Sequence, residues 1–153
     1  MKIMDILIRD AVILDLAVQG KRDVLVQMSN ALAKAEPRIE AARLIEVLEQ
    51  REALQSTGIG EGVAIPHGKL GGLDRLVASF ARCPAGVDFD SIDGRPTHHF
   101  FLLVVPEHSG GQYLKALARI SRFFRDAAFR QHLAAARSPE DILHAIEQED
   151  AKL

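Results

Sequence analysis

The sequence predicts a single α/β domain over residues 1–153, a small mixed sheet with helices on both faces. Three observations carry that expectation. Segments with apolar residues at helical spacing are interleaved with short runs rich in branched residues. One run, Thr97 to Pro106 ("THHFFLLVVP"), is almost continuously apolar, as a strand covered on both faces must be. A chain of 153 residues with 48% hydrophobic composition is also long enough for one packed core and short for two.

The elements follow in order. Ala11 to Val18 ("AVILDLAV") is short and apolar and reads as a first strand. Lys21 to Ala35 reads as a helix with Leu25, Met28 and Leu32 on one face, ended by Pro37. Ile39 to Leu54 reads as a second helix, apolar at Ala41, Leu44, Ile45 and Leu48 and polar at Glu46, Glu49, Gln50 and Arg51. Arg75 to Cys83 alternates weakly and reads as a strand, and Asp93-Gly94 marks a turn. After the central strand, Ser109-x-x-Gln112 matches a capping box. The helix it opens runs to about Phe124, with Leu114, Leu117, Ile120 or Ser121, and Phe124 facing inward. Asp126 is placed to cap a short helix ending near Ala136. Ser138-Pro139-Glu140-Asp141 supplies an N-cap, a proline at the first helical position and acids in the first turn. Ile142, Leu143 and Ile146 of that last helix face the core.

Composition narrows the function. A formal net charge of −2, with basic residues scattered apart from Arg119, Arg122 and Arg125, argues against a nucleic-acid binder. The one cysteine, Cys83, excludes an internal disulfide framework and fits a reducing, cytoplasmic compartment. The opening "MKIMDILIRD" is broken by charges and is no signal peptide, and nothing approaches a membrane span. No metal site is expected. His98 and His99 are adjacent in a predicted strand and point to opposite faces, and His132 and His144 lie on late helices. Cys83, before Pro84, reads as a small apolar residue rather than a nucleophile.

The chemistry concentrates in Ser56 to Leu70, "STGIGEGVAIPHGKL". Its glycine spacing is not G-x-G-x-x-G, and "GVAIPHGKL" is one residue too long for a P-loop and lacks the magnesium-binding hydroxyl. One reading is a glycine turn between helix and strand with an incidental histidine. The other is a phosphoryl acceptor. Gly58, Gly60, Gly62 and Gly68 leave backbone N–H groups free to converge on an anion, and Pro66 stiffens the approach to His67. Neutral imidazole is nucleophilic, and Arg51 sits in the last turn of the preceding helix as a permanent planar cation. Such transfer needs positioning and charge stabilisation above all, so no cofactor is called for.

The stretch "REALQSTGIGEGVAIPHGKL" resembles the signature of the IIA proteins of the bacterial phosphotransferase system, in the mannitol/fructose group and nearest its nitrogen-related regulatory branch. "FDSIDGRP", "LLVVPE" and "LKALARISRFFRD" extend the resemblance over nearly the whole chain. It implies a mixed sheet of about five strands, and His67 accepting a phosphoryl group from an HPr-like phosphocarrier while Arg51 stabilises it. It also implies regulatory target proteins, such as potassium transport or sensor kinases, read out by phosphorylation state. Nε2 is the expected attacking atom, with Nδ1 held by a backbone carbonyl or similar acceptor.

There is one departure from the family pattern. Where the family carries a second active-site histidine, this chain has Tyr113. Its hydroxyl either donates to a phosphate oxygen or simply packs, and His108 is a nearby substitute. Glu61 and Glu107 are candidates for an acidic rim facing a basic donor. Two other functions remain open. One is a sugar-specific IIA subunit passing the group to a IIB domain, which the wording of the glycine stretch and the absence of a fused partner disfavour. The other is a non-phosphorylated binding module.

Overall fold

The computed structural model describes residues 1–153. Helices α1 (Lys21–Ala35) and α2 (Ala41–Leu54) precede a run of strands, β1 (Gly58–Gly60), β2 (Val63–Ala64), β3 (His67–Lys69), β4 (Val77–Val87) and β5 (Thr97–Val105). Three helices close the chain, α3 (Gln112–Phe123), α4 (Ala127–Ala135) and α5 (Pro139–Lys152). The expected single mixed sheet of five strands, with helices on both faces, is present.

β5 is the centre of the sheet. It pairs antiparallel with β4 on one side and parallel with both β2 and β3 on the other, while β1 folds back on β2. The alternation of side chains along β5 divides the interior. Phe100, Leu102 and Val104 face α1 and α2, whereas Phe101, Leu103 and Val105 face α3, α4 and α5. Each face is buried under its own apolar cluster, which explains why this strand reads as an unbroken hydrophobic run.

The predicted first strand is not one. A short 3₁₀ turn at Arg9–Ala11 interrupts it, and the N-terminal segment touches β4 only through isolated bridges, Leu7 to Ala78 and Ile13 to Ala81. It still covers the outer edge of β4, since the N–H groups of Ile8, Ile13 and Leu16 donate to Ala78, Phe80 and Arg82. Asp150 of α5 secures the start of this segment by accepting the N–H groups of Ile3 and Met4, and Arg119 of α3 pairs with the same carboxylate at 3.0 Å.

α3 also departs from expectation. Its N-cap is Gly111 and no side chain caps it, because Gly110 at φ +60° turns the chain between Ser109 and the first helical residue. The inward stripe is Ala116, Ile120 and Phe123, and Leu114 is 68% exposed. Asp126 and Ser138 do cap α4 and α5 as the sequence predicts.

Candidate functional site

The chain reaches His67 through a broken strand. β2 and β3 lie along the same edge of β5, separated by Ile65 and Pro66. Pro66 has no N–H for a ladder, although its carbonyl accepts the N–H of Leu103 at 2.9 Å. The carbonyl of Ile65 instead faces the His67 ring, 2.7 Å from Nδ1. A carbonyl only accepts, so Nδ1 carries the proton and Nε2 is left with its lone pair. His67 is 8% exposed. Burial pushes its pKa below the ordinary 6.5, and the Arg51 cation adds to that, while the Ile65 hydrogen bond and Glu52 oppose it. The result is a neutral imidazole with one defined tautomer.

Arg51 is brought there by a close approach of α2 to β3. A Cβ on Gly68 would lie 2.6 Å from Cγ1 of Val47, so only glycine lets the helix sit at this distance. Arg51 is one turn beyond Val47, on the same face. Its Nη1 donates to the Gln55 carbonyl at 2.8 Å, which satisfies the end of α2 and holds the guanidinium in place with donors to spare. Gly68→Ala is therefore expected to push α2 away from β3. The cost is about 1–3 kcal/mol of stability from overpacking. Slower phosphoryl uptake should accompany it, and urea unfolding together with a single-turnover assay checks both.

Tyr113, on the first turn of α3, closes the other side. Its ring meets that of His67 edge to face, with centroids 5.6 Å apart at 82°. Burial raises the pKa of its phenol above the ordinary 10, so the hydroxyl stays protonated and available as a donor. Two open cavities, of about 650 and about 370 Å³, meet at Arg51, His67, Lys69 and Tyr113. Exposed Leu54 and Leu114, one on α2 and one on α3, flank this junction.

The structure gathers some of the expected residues and separates others. Gly68, Tyr113, Arg51 and Glu107 border these cavities together with His67. Gly58, Gly60 and Gly62 do not, which corrects the expected glycine cradle. The chain runs extended from Gly62 to His67, five residues at about 3.3 Å each, so the two lie roughly 16 Å apart along the strand. These glycines serve the β1–β2 hairpin. Gly60 and Gly62 take φ of +93° and +75° on either side of Glu61, and Gly58 lets the Ser91 backbone come within 2.9 Å of where a Cβ would stand. Glu61 sits at the hairpin tip, away from Glu107, so the two form no common rim. His108 is exposed and borders neither cavity.

Two features were missed from the sequence. Lys69 follows His67 by two residues on β3, the strand period that puts both on one side, and adds a second cation. Behind the site, buried Glu52 accepts the N–H of Thr57 at 3.1 Å, binds the Thr57 hydroxyl, and pairs with Lys21 at 3.0 Å. That network anchors the chain as it leaves α2 for the glycine stretch. Its sequence signal was Glu52 itself, a carboxylate directly after Arg51.

Comparison with known proteins places the chain in a family. The family described as "Phosphoenolpyruvate-dependent sugar phosphotransferase system, EIIA 2" matches residues 5–149. A nitrogen regulatory protein of Bradyrhizobium diazoefficiens is 42% identical over 146 residues, 95% of each chain. The fructose-specific EIIABC component of Bacillus subtilis is 34% identical over 98% of this chain, which spans 24% of that longer protein. The crystal structure of the nitrogen regulatory protein IIA-Ntr from Neisseria meningitidis superposes with a TM-score of 0.85 at 32% identity, covering 93% of this chain and 97% of that one. A family model matched over residues 5–149, and sequence and fold shared with these relatives, make the chain a member of the type-2 EIIA family of the phosphoenolpyruvate-dependent sugar phosphotransferase system.

Proposed function

We propose that His67 is the phosphoryl acceptor and that the protein works chiefly as a phosphorylation-dependent regulator. The observation that carries this reading is the 2.7 Å contact between Nδ1 and the Ile65 carbonyl, which leaves Nε2 as the nucleophile. Nε2 attacks the phosphorus of a phosphohistidine on an HPr-like carrier. The new N–P bond forms as the donor's N–P bond breaks, and that electron pair returns to the donor's imidazole. Arg51 and Lys69 face the charge on the transferring oxygens, and the Tyr113 hydroxyl donates to one of them. Exposed Leu54 and Leu114 offer apolar contact to whichever protein docks over His67. The phosphoryl group then adds roughly two negative charges at the centre of this docking face, enough to exchange one partner for another.

The regulatory role follows the nitrogen regulatory proteins to which the chain is similar. Its targets belong to the class of regulated transport or sensor proteins. Incubation with phosphoenolpyruvate, enzyme I and an HPr-like carrier tests the chemistry. Phosphorus NMR at alkaline pH should show a phosphohistidine, and no label on the protein would overturn the proposal. A second reading, a sugar-specific IIA subunit, is favoured by the match to the fructose-specific component. Transfer onward to a purified IIB domain would establish it.

The pKa shift gives a further test. Because burial lowers the pKa of His67, its neutral form persists as pH falls through 6.5, where an ordinary histidine is half protonated. An NMR titration of the His67 ring should show its midpoint below 6.5, and uptake from phosphorylated carrier should stay undiminished down to that pH. A midpoint at or above 6.5 would contradict it.

A further inference from the structure

At the other end of β5 lies a second polar cavity that takes no part in the chemistry at His67. β5 pairs with β2 at His99 and with β3 at Leu103, so roughly 13 Å of strand separates the two places. The cavity holds about 500 Å³ and is bordered by Arg82, His98, His99, Arg130, Gln131 and Glu61. A neighbouring cavity of about 490 Å³ shares Arg130 and Glu61 and adds Arg125.

Both histidines reach it, although consecutive strand residues ordinarily diverge. The N–H groups of His98 and His99 both donate to the Gly62 carbonyl, at 2.8 and 2.9 Å, a local irregularity at the start of β5, and both residues border the cavity. The His98 Nδ1 donates to the Cys83 carbonyl at 3.1 Å. His99 is 7% exposed, stacked between Phe80 and Phe124, and its buried Nδ1 has no hydrogen-bond partner. A buried polar atom left unpaired is costly, and such atoms mark places where a ligand or water completes the bonding.

The arginines differ in how much they have left to offer. Arg82 is committed to the structure. It donates to the carbonyls of Leu14, Leu133, Ala134 and Ala136 and pairs with Asp15 at 3.0 Å, pinning the end of α4 to β4. Arg130 donates only to the Phe124 carbonyl and pairs with no carboxylate. Arg125 is likewise without an ion pair. Against these two cations stands one carboxylate, Glu61, so the paired cavities carry an excess of positive charge.

We propose that this cavity is a binding site for a small oxyanion, held by the free guanidinium edge of Arg130 and by the imidazole of His99, with His98 on its wall. A phosphate monoester and a small carboxylate share that chemistry. Bidentate pairing with Arg130 supplies orientation, and the neutral His99 ring supplies a hydrogen bond that the protein alone leaves unmade. Burial and the neighbouring cations bring the pKa of His99 down to about 4, so at neutral pH it acts by hydrogen bonding rather than by charge.

Titration of the full chain with inorganic phosphate, and separately with malonate, tests the site. The readout is the His98 and His99 ring signals and the Arg130 Nε–H in heteronuclear NMR, which are distinct from those of His67. Saturable shifts of these signals are expected with at least one probe. Phosphate alone would identify a phosphate ester, and malonate alone a carboxylate. Arg130→Gln should weaken binding by about tenfold or more, the loss of a charge-assisted pair. His99→Phe preserves the aromatic stack, removes the unpaired nitrogen and should also abolish saturation, while leaving the thermal midpoint unchanged or higher in the absence of anion. Signals that do not move with either probe would overturn the proposal, as would undiminished affinity in both folded variants.

Discussion

His67→Ala is expected to abolish phosphoryl uptake while leaving the protein folded. The ring makes a single hydrogen bond, from Nδ1 to the Ile65 carbonyl, and an edge contact with Tyr113. Its removal from the wall of an open cavity should cost about 1–2 kcal/mol of stability. Transfer, in contrast, should lose its proposed nucleophile outright, with no neighbour placed to replace it. The Tyr113 phenol is held protonated, and His108 stands away from the cavity. His67→Gln sharpens the experiment, since its side-chain amide can still donate to Ile65 but carries no nucleophilic nitrogen. Mass spectrometry of the protein at alkaline pH, after incubation with the phosphorylated carrier, should show the phosphoryl increment in the wild type and in neither variant. A label of equal extent on His67→Ala would move the acceptor elsewhere.

Arg51→Ala should slow the transfer step by about 10²–10³, the usual effect of deleting one positioned donor to developing charge. Two contributions are separable. Losing the Nη1 bond to the Gln55 carbonyl frays the end of α2 and costs about 0.5–1.5 kcal/mol of stability. Losing the cation beside His67 affects the rate and raises the histidine's pKa, because Arg51 is among the groups that lower it. Arg51→Lys keeps a charge but not the planar fork that binds Gln55 and a phosphate oxygen together, so only part of the rate returns. Single-turnover kinetics and thermal unfolding on the same samples distinguish these effects. Equal rates for Arg51→Ala and wild type would remove Arg51 from the mechanism.

Much of this architecture was legible in the amino-acid order. α1 spans the residues its periodicity predicts, β5 the residues of its apolar run, and Asp126 and Ser138 cap the helices they precede. These are local properties: the spacing of apolar side chains and the bonding of a single cap are set within a few residues. The segment from Ala11 to Val18 failed as a strand for the opposite reason. Its composition suits a strand, but the 3₁₀ turn before it and the single edge of β4 on offer allow only isolated bridges. Leu114 was expected inside and stands in solvent, because Gly110 turns the chain and sets the face that α3 presents.

The site divides along the same line. The Pro-His-Gly motif, the arginine at the end of α2 and the tyrosine in place of a second histidine could all be picked out by reading along the chain. Where the glycines act could not. Gly58, Gly60 and Gly62 are near His67 in sequence, yet an extended strand carries them to the far end of the sheet, where they shape a hairpin. Gly68, one residue past the histidine, turned out to govern the approach of α2. By itself the sequence indicated the family, the helices, the central strand, and His67, Arg51 and Tyr113, because propensity and motif spacing are short-range. Only the tertiary structure decided that the Ile65 carbonyl holds Nδ1 of His67, that Lys69 joins Arg51 beside it, and that His98 and His99 share a cavity with Arg130. Those outcomes depend on contacts between residues distant in the chain, and on the register of β5 against its neighbours.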